Sequence, residues 1–293
     1  MYGKGLRPLS IATVAMLAVS LSLVFFYAPL DADQGFIQKI FYLHVPLAIV
    51  ALVGFVVGGI FAIAHLRSGN SKWDAYSYVA IHMSVIFGVA VLITGSIWAK
   101  GSWGHWWVWD EPTLVSFLIV FLMYATYYPF RYAIEDRDRQ ARYASVFAIT
   151  AGAFVPLNFM AVRMAESLVH PRTFATANGG LPGEMMLVFL CNLVAFGLLW
   201  VTLVKFELTA KSASGQVKRL RRALDAPGAG APALPLDESG KYVAGAYIVF
   251  VLLLVIYVGI MAAKLQRIER EMRELASFAE QRKREEERDE VSA

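Results

Sequence analysis

The stretch IFYLHVPLAIVALVGFVVGGIFAIA, residues 40–64, decides the fold class of this chain. It contains no Asp, Glu, Lys or Arg, and one histidine, His44. A helix of this length rises about 37 Å, since each residue adds about 1.5 Å along the axis. The hydrocarbon core of a bilayer is about 30 Å thick, so the stretch is predicted to cross a membrane as one helix.

Apolar runs of comparable length recur along the chain. The seven predicted spans are residues 9–28, 40–64, 79–99, 113–130, 144–164, 184–204 and 242–263. Hydrophobic residues make up 58% and charged residues 17% of the chain, whereas soluble domains carry about 25% charged residues. The sequence therefore predicts an all-α fold, a polytopic membrane helix bundle with a six-span core. A seventh C-terminal hydrophobic helix and a charged helical tail are predicted to follow it.

A segment rich in Gly, Ala and Pro, DAPGAGAPALPLDESG at 225–240, separates the sixth and seventh spans. Such a composition cannot bury a core. We therefore predict a six-span domain over residues 1–208, a flexible linker over 209–240, and a single span with a charged helical tail over 241–293. The tail repeats apolar residues at spacings of three and four, at Leu265, Ile268, Met272, Leu275 and Ala279. That pattern fits a solvated helix or a helix that docks on a partner, and both remain open.

Basic residues concentrate in alternate loops. They are Lys4 and Arg7, Arg67 and Lys72, Arg131 with Arg137, Arg139 and Arg142, and six residues from Lys205 to Arg222. The loops 29–39, 100–112 and 165–183 hold few. Because basic loops stay in the cytoplasm, we predict a cytoplasmic N-terminus and place these three loops at the outer face of the bacterial inner (cytoplasmic) membrane. Counting spans puts the tail outside as well, while its eight basic residues favour the cytoplasm, so its orientation stays open.

The second of these outer loops, KGSWGHWWVWDEP at 100–112, is rich in tryptophan. Four tryptophans fall within seven positions, at Trp103, Trp106, Trp107 and Trp109. Tryptophan belts are common at membrane interfaces, but four in one loop is denser than a belt requires. If the loop is helical, the first three share a face and form a flat platform for a large planar apolar ligand. The belt and the platform are both compatible with the sequence.

Two of the five histidines are predicted to lie on the same side as this loop. His44 lies in FYLHVP near the outer end of the second span, and His170 lies in ESLVHP in the third outer loop. A single histidine is more often structural, but imidazoles on both faces of a porphyrin would supply two axial ligands to iron. The pair beside an aromatic loop therefore favours ligation. Of the others, His65 is predicted to be a loop residue and His82 to make an interhelical hydrogen bond.

Charged residues near the loop suggest two further roles. We predict that Asp110 or Glu111 caps the helix that begins at Pro112, through the exposed amides of its first turn. Anionic groups of a ligand, such as haem propionates, would prefer a cation. The outer cations closest to the loop are Lys100, Arg163 and Arg172.

Several motifs are absent from the sequence. It contains no G-x-x-x-x-G-K-[ST], no H-E-x-x-H and no nucleophile elbow. These absences argue against an ATPase or another enzyme. No groove pattern of aromatic and basic residues is present, so no nucleic acid partner is predicted.

The loop sequence WGHWWVWD at 103–110 resembles the tryptophan-rich (WWD) signature of the haem-handling family of cytochrome c assembly proteins. Within it, FYLHVP at 41–46, a single tryptophan-rich loop and six spans look like the haem exporter protein C (CcmC) branch. The stretch TGSIWAKGSWG at 94–104 is similar as well. The resemblance covers residues 9–206.

This resemblance implies that haem b is bound as cargo at the outer face, with His44 and His170 as its axial ligands. It implies delivery of haem to a periplasmic, CcmE-like haem chaperone during c-type cytochrome biogenesis. An ABC-type ATPase with its membrane subunit (CcmA- and CcmB-like) would then release the loaded chaperone. The other residues expected to bind haem are Trp103, Gly104, Trp106, Trp107, Trp109, Asp110, Lys100 and Arg172.

One further segment resembles a second family, and two others depart from the family pattern. Residues 240–275 are similar to the small single-span CcmD subunit, so the chain resembles a fusion of the C and D subunits. The family motif W-D-x-R-L-T-S reads WDEPTLVS at 109–116 here and lacks the arginine. Tryptophans that often precede the second histidine are replaced by RMAESLV at 163–169. The group that would contact the propionates is therefore unassigned.

Three alternatives remain. A haem-attachment synthase subunit would be larger and carry W-D-P-[KR]-E after the motif. A membrane b-type haem electron-transfer subunit would place its histidine pairs within the spans. A transport or assembly subunit with a simple tryptophan belt would bind no haem.

Overall fold

The structure, a computed structural model, describes residues 4–165, 168–170 and 180–224. Within these ranges the secondary structure is helical. The helices are α1 (Leu6–Ser22), α2 (Phe41–Ser68), α3 (Ser71–Trp103), α4 (Pro112–Ala125), α5 (Tyr127–Tyr132), α6 (Arg137–Met164) and α7 (Gly183–Leu224). A π-helical turn at Leu23–Tyr27 extends α1, and a 3-10 turn at Phe36–Ile40 leads into α2.

Six helical segments are long and apolar enough to cross a membrane. They are Leu6–Tyr27, Phe36–Ser68, Ser71–Trp103, Pro112–Tyr132, Arg137–Met160 and Gly183–Val217. The all-α polytopic bundle and the first six predicted spans are therefore confirmed. The predicted seventh span, 242–263, and the charged tail lie outside the described residues.

The caps of α3 explain why this helix is longer than the predicted span 79–99. At its start, the side-chain oxygen of Asn70 accepts a hydrogen bond from the Lys72 amide at 3.0 Å. At its end, Gly104 adopts φ +77°, in the left-handed region that favours glycine. Its amide donates to the Lys100 carbonyl at 3.1 Å. Trp103 is therefore the last residue of α3, and the tryptophan-rich loop begins at Gly104.

Helix α7 runs on to Leu224, although the linker is predicted to begin at residue 209. The physical reason is that residues 209–224 contain no proline and one glycine, Gly215, and are otherwise rich in helix-forming residues. A helix of 42 residues rises about 63 Å, roughly twice the hydrocarbon thickness. The basic C-terminal part of α7 therefore extends beyond the membrane.

Helix α2 is the central element of the bundle and packs on α3, α6 and α7. Small residues allow the closest approaches, as is usual between membrane helices. A Cβ atom added at Gly59 would lie 3.1 Å from the Ala148 carbonyl oxygen, so glycine brings α2 and α6 together there. Phe55 and Tyr124 stack beside this contact, with ring centroids 3.8 Å apart.

Two histidines between the helices are hydrogen-bonded to hydroxyl groups of neighbouring helices. His65 is not a loop residue as predicted, because α2 continues to Ser68; its Nδ1 lies 2.9 Å from the Ser145 hydroxyl. The interhelical bond predicted for His82 is present, between Nδ1 and the Tyr128 hydroxyl at 3.0 Å.

Candidate functional site

A cavity of about 470 Å³ lies at the end of the bundle that carries the tryptophan-rich loop. This volume is within the range of about 300–1,000 Å³ that is usual for ligand pockets. Its walls are mostly apolar and come from α2, α3, α4 and α6, with Trp107 and His170 contributed by two loops. The lining residues are Phe41, His44, Val45, Ala48, Ile49, Leu52, Val91, Leu92, Gly95, Trp98, Ala99, Trp103, Trp107, Thr113, Leu114, Ser116, Phe117, Val120, Val155, Asn158, Phe159, Arg163 and His170.

His44 enters the cavity from the first turn of α2. Its Nδ1 lies 3.0 Å from the Thr94 hydroxyl oxygen, and that hydroxyl donates to the Ala90 carbonyl at 2.8 Å. Because a hydroxyl has a single proton and a carbonyl can only accept, the Thr94 oxygen accepts from Nδ1–H. The other ring nitrogen, Nε2, then carries the lone pair that a metal requires.

Two further residues of α3 confine the His44 ring. A Cβ atom added at Gly95 would lie 2.7 Å from its Cε1, so this position accepts no side chain without displacing the imidazole. The Trp98 ring packs edge-on against the imidazole, with centroids 5.7 Å apart. Trp98 is itself fixed, since its indole N–H donates to the Gln34 side-chain oxygen at 2.9 Å.

His170 lines the same cavity. The two histidines, predicted as a pair from the sequence, therefore border one cavity. The ring of Trp103, at the end of α3, meets the His170 ring at an angle of 65° with centroids 6.2 Å apart. The structure therefore brings His44, His170 and Trp103 to one place, although 126 positions (170 − 44) separate the two histidines in the sequence.

A buried carboxylate, that of Glu111, holds the backbone at His170. One oxygen, Oε2, accepts hydrogen bonds from the amides of Leu168, Val169 and His170 at 3.0, 2.9 and 3.2 Å. The other, Oε1, accepts from the Thr113 amide at 3.3 Å and caps α4. Burial raises the pKa of Glu111, but the bonds from these four amides outweigh it and lower the pKa below its ordinary value, so the carboxylate is charged at neutral pH. The predicted cap is confirmed, with Glu111 as the capping residue.

The four tryptophans of the loop occupy different environments. Trp103 and Trp107 line the cavity, and Trp109 packs on Trp107 with ring centroids 5.9 Å apart. Trp106 is 60% exposed. The shared helical face expected for residues 103, 106 and 107 does not form, because α3 ends at Trp103 and the loop that follows is irregular. The indole Nε1 of Trp107 is buried and has no hydrogen-bond partner among the described residues.

Of the three cations considered for anionic ligand groups, Arg163 lines the cavity. Its guanidinium lies over the Phe159 ring, 5.3 Å from the centroid. Lys100 instead donates to the Gly104 carbonyl at 2.8 Å and supports the end of α3. Arg172 lies outside the described residues.

Neither Lys100, Gly104 nor Asp110 contributes to the cavity wall, and Asp110 is exposed. Three residues that the sequence did not single out do shape the site, namely Thr94, Gly95 and Trp98. A signal for two of them exists. Positions 91, 95, 98, 99 and 103 follow helical spacing, and all of them line the cavity.

The fold and the cavity together define a multi-pass membrane protein with an apolar, aromatic cavity, bordered by two histidines, at one end of its helix bundle. A family model described as heme exporter protein C matches residues 1–223. The chain belongs to this family. The match favours that branch over a synthase or a b-type electron carrier. It stops before the C-terminal segment, whose likeness to a CcmD subunit stays a prediction.

Curated relatives carry the same description. The heme exporter protein C of Bradyrhizobium diazoefficiens is 33% identical over 201 residues, which cover 67% of this chain and 74% of the relative. That of Rhodobacter capsulatus is 28% identical over 213 residues, covering 72% and 88%. That of Escherichia coli K12 is 30% identical over 160 residues, covering 55% and 65%.

Proposed function

We propose that this protein binds haem b as cargo in the cavity and passes it on for c-type cytochrome biogenesis, with His44 and His170 as the axial ligands of the iron. The observation that carries the proposal is that both imidazoles line one apolar cavity with Trp103 and Trp107. A porphyrin supplies four ligands in its plane, so two imidazoles complete the coordination of its iron. The names of the relatives, heme exporters, support the same cargo.

The chemistry of the walls suits a haem. Aromatic and aliphatic side chains would cover the macrocycle, and the Thr94 contact leaves the His44 Nε2 available for the iron. The propionates need donors. Arg163 and the unpartnered indole N–H of Trp107 border the cavity and are the groups that we assign to them. Arg163 thus takes the role for which the sequence also offered Lys100 and Arg172.

We further propose that the cavity opens at the outer face of the bacterial inner membrane. The basic residues of the short loops lie at the opposite end of the bundle, where Arg67 is in the last turn of α2 and Arg137 begins α6. From the outer face, haem would pass to a periplasmic, CcmE-like chaperone. The sequence contains no P-loop motif, so a CcmA/CcmB-like ABC-type partner would supply ATP hydrolysis.

The ligand assignment is tested by visible spectra and haem staining of the purified protein. We compare the wild type with His44→Ala and His170→Ala. The control is His105→Ala, which alters an exposed histidine of the tryptophan-rich loop. We expect a Soret band in the wild type and the control, and a several-fold lower haem content in the two cavity variants. Unchanged spectra in both cavity variants would contradict the ligand assignment.

A further inference from the structure

One carboxylate serves two separate parts of the site. Glu111 is fully buried, and its two oxygens have different tasks. Oε1 caps α4 at the Thr113 amide, while Oε2 receives the three consecutive amides of residues 168–170. A cap requires only the first of these contacts. The second needs its own explanation.

The segment 168–170 lies in neither a helix nor a strand, so no regular ladder satisfies its amides. Consecutive N–H groups that point to one place form an anion-binding concavity, and here the anion is the Glu111 carboxylate. The third amide is that of His170 itself, at 3.2 Å. Since α4 also contributes Thr113 and Phe117 to the cavity, the carboxylate ties the His170 backbone to the helix that forms one wall.

We propose that Glu111 is a positioning residue that holds the His170 backbone against α4 so that its imidazole faces the cavity opposite His44. The proposal rests on the proposed function, because it gives a role to the second axial ligand. Loss of a group that orients a metal ligand typically lowers metal affinity by about 10- to 100-fold. Glu111 stands at the position that the family motif W-D-x-R-L-T-S leaves unspecified, so the motif itself assigns no role to it.

A matched control separates positioning from simple capping. Asp136 also caps a helix, since its Oδ1 accepts a hydrogen bond from the Arg139 amide at 2.8 Å. This cap is at the start of α6, whereas the cavity is lined by residues near the other end of that helix. If Glu111 were only a cap, Glu111→Ala and Asp136→Ala would each loosen the first turn of the helix that they cap and leave the backbone at 168–170 unchanged. Glu111→Gln adds a second test, because its amide group would present N–H donors where the backbone also offers N–H donors.

The experiment measures two quantities on purified full-length protein. The first is hydrogen exchange of the peptide containing residues 168–170 in the haem-free protein. The second is the spin and coordination state of added haem, by visible spectra and magnetic circular dichroism, before and after addition of free imidazole. We expect both Glu111 variants to exchange at least fivefold faster there, to lose the six-coordinate low-spin spectrum and to regain it with imidazole. Asp136→Ala should match the wild type in both.

Each contrary outcome is informative. Unchanged exchange in Glu111→Ala overturns the proposal, and so does faster exchange with an unchanged spectrum, because the carboxylate would then be structural alone. A failure of the proposed haem ligation can be distinguished from a failure of the Glu111 proposal. In that case the wild-type spectrum itself would not depend on His44 or His170, whereas the exchange measurement would still report on the Glu111 contact.

Discussion

At the scale of single residues, one hydroxyl proton sets the chemistry of His44. The Thr94 hydroxyl donates to the Ala90 carbonyl at 2.8 Å, so its oxygen accepts from Nδ1–H of the imidazole. Histidines that bind metals usually donate their other ring N–H to a neighbouring oxygen, which fixes the tautomer and the ring orientation. Under the proposed function, Thr94 would act on the iron through His44 without touching the haem.

We expect Thr94→Val to lower the affinity for haem by about tenfold, the lower end of the usual effect of such partners. Valine keeps the shape of threonine but leaves Nδ1–H without its acceptor, which favours the tautomer with a proton on Nε2. Thr94→Ser keeps the hydroxyl and should bind haem as the wild type does. Thr150→Val is the control, since its hydroxyl also bonds a carbonyl four residues back but is exposed. Soret titrations measure all four proteins, and equal affinities for Thr94→Val and wild type would refute the tautomer role.

The common location of His44 and His170 could be predicted, because the distribution of basic loops puts both on one side of the membrane. Their role as haem ligands, which the family resemblance implies, stays a prediction. The contact of Thr94 with His44 could not be predicted, because the two residues lie fifty positions apart in the sequence and meet only when α2 packs on α3. Glu111 was predicted in part. Pro112 marks a helix start, which requires a cap, but the bonds to residues 168–170 arise from the folding of a distant loop.

At the scale of helices, α3 connects the candidate site with the opposite end of the bundle. Its C-terminal half carries Gly95, Trp98 and Trp103 into the cavity. Its first turn carries Asp74, which forms a bidentate pair with Arg131 of α5 at 2.8 and 2.6 Å. Both side chains are largely buried. Arg131 also donates to the Tyr127 hydroxyl at 3.0 Å. This pair fixes α3 to α5 at the end away from the cavity.

Removing one member of the pair should destabilise the bundle. We expect Arg131→Met to cost about 3–5 kcal/mol, because it leaves a buried carboxylate without its partner. The double variant Asp74→Asn with Arg131→Met should recover much of this loss, since no unpaired charge remains. Thermal unfolding in detergent micelles measures both. A double variant less stable than Arg131→Met would show that the ion pair is not the source of the effect. A folded double variant should retain the wild-type haem spectrum.

At the scale of the whole molecule, span count and order follow from the length of apolar runs, since about 20 such residues cross the hydrocarbon. The cavity was not predictable in the same way. These helices are apolar on all sides, so the sequence does not show which face meets lipid and which meets a ligand. Ile49 and Leu52 line the cavity, whereas Val53 on the same helix is exposed, and all three are aliphatic. The membrane face to which the cavity opens is inferred from the distribution of Lys and Arg among the loops.

That distribution predicts which loops a reagent can reach from outside the cell. We expect Asp33→Cys, in the exposed loop before α2, to react with a membrane-impermeant thiol reagent on intact spheroplasts. Glu135→Cys, exposed between α5 and α6, should react only after permeabilisation. Both are made with Cys191→Ser, which removes the single native thiol and serves alone as the unlabelled control. Because the loop with Asp33 lies at the same end as the cavity, labelling at 33 from outside would support haem release at the outer face. The reverse labelling pattern would show that the cavity opens at the cytoplasmic face, which would exclude direct delivery of haem to a periplasmic chaperone.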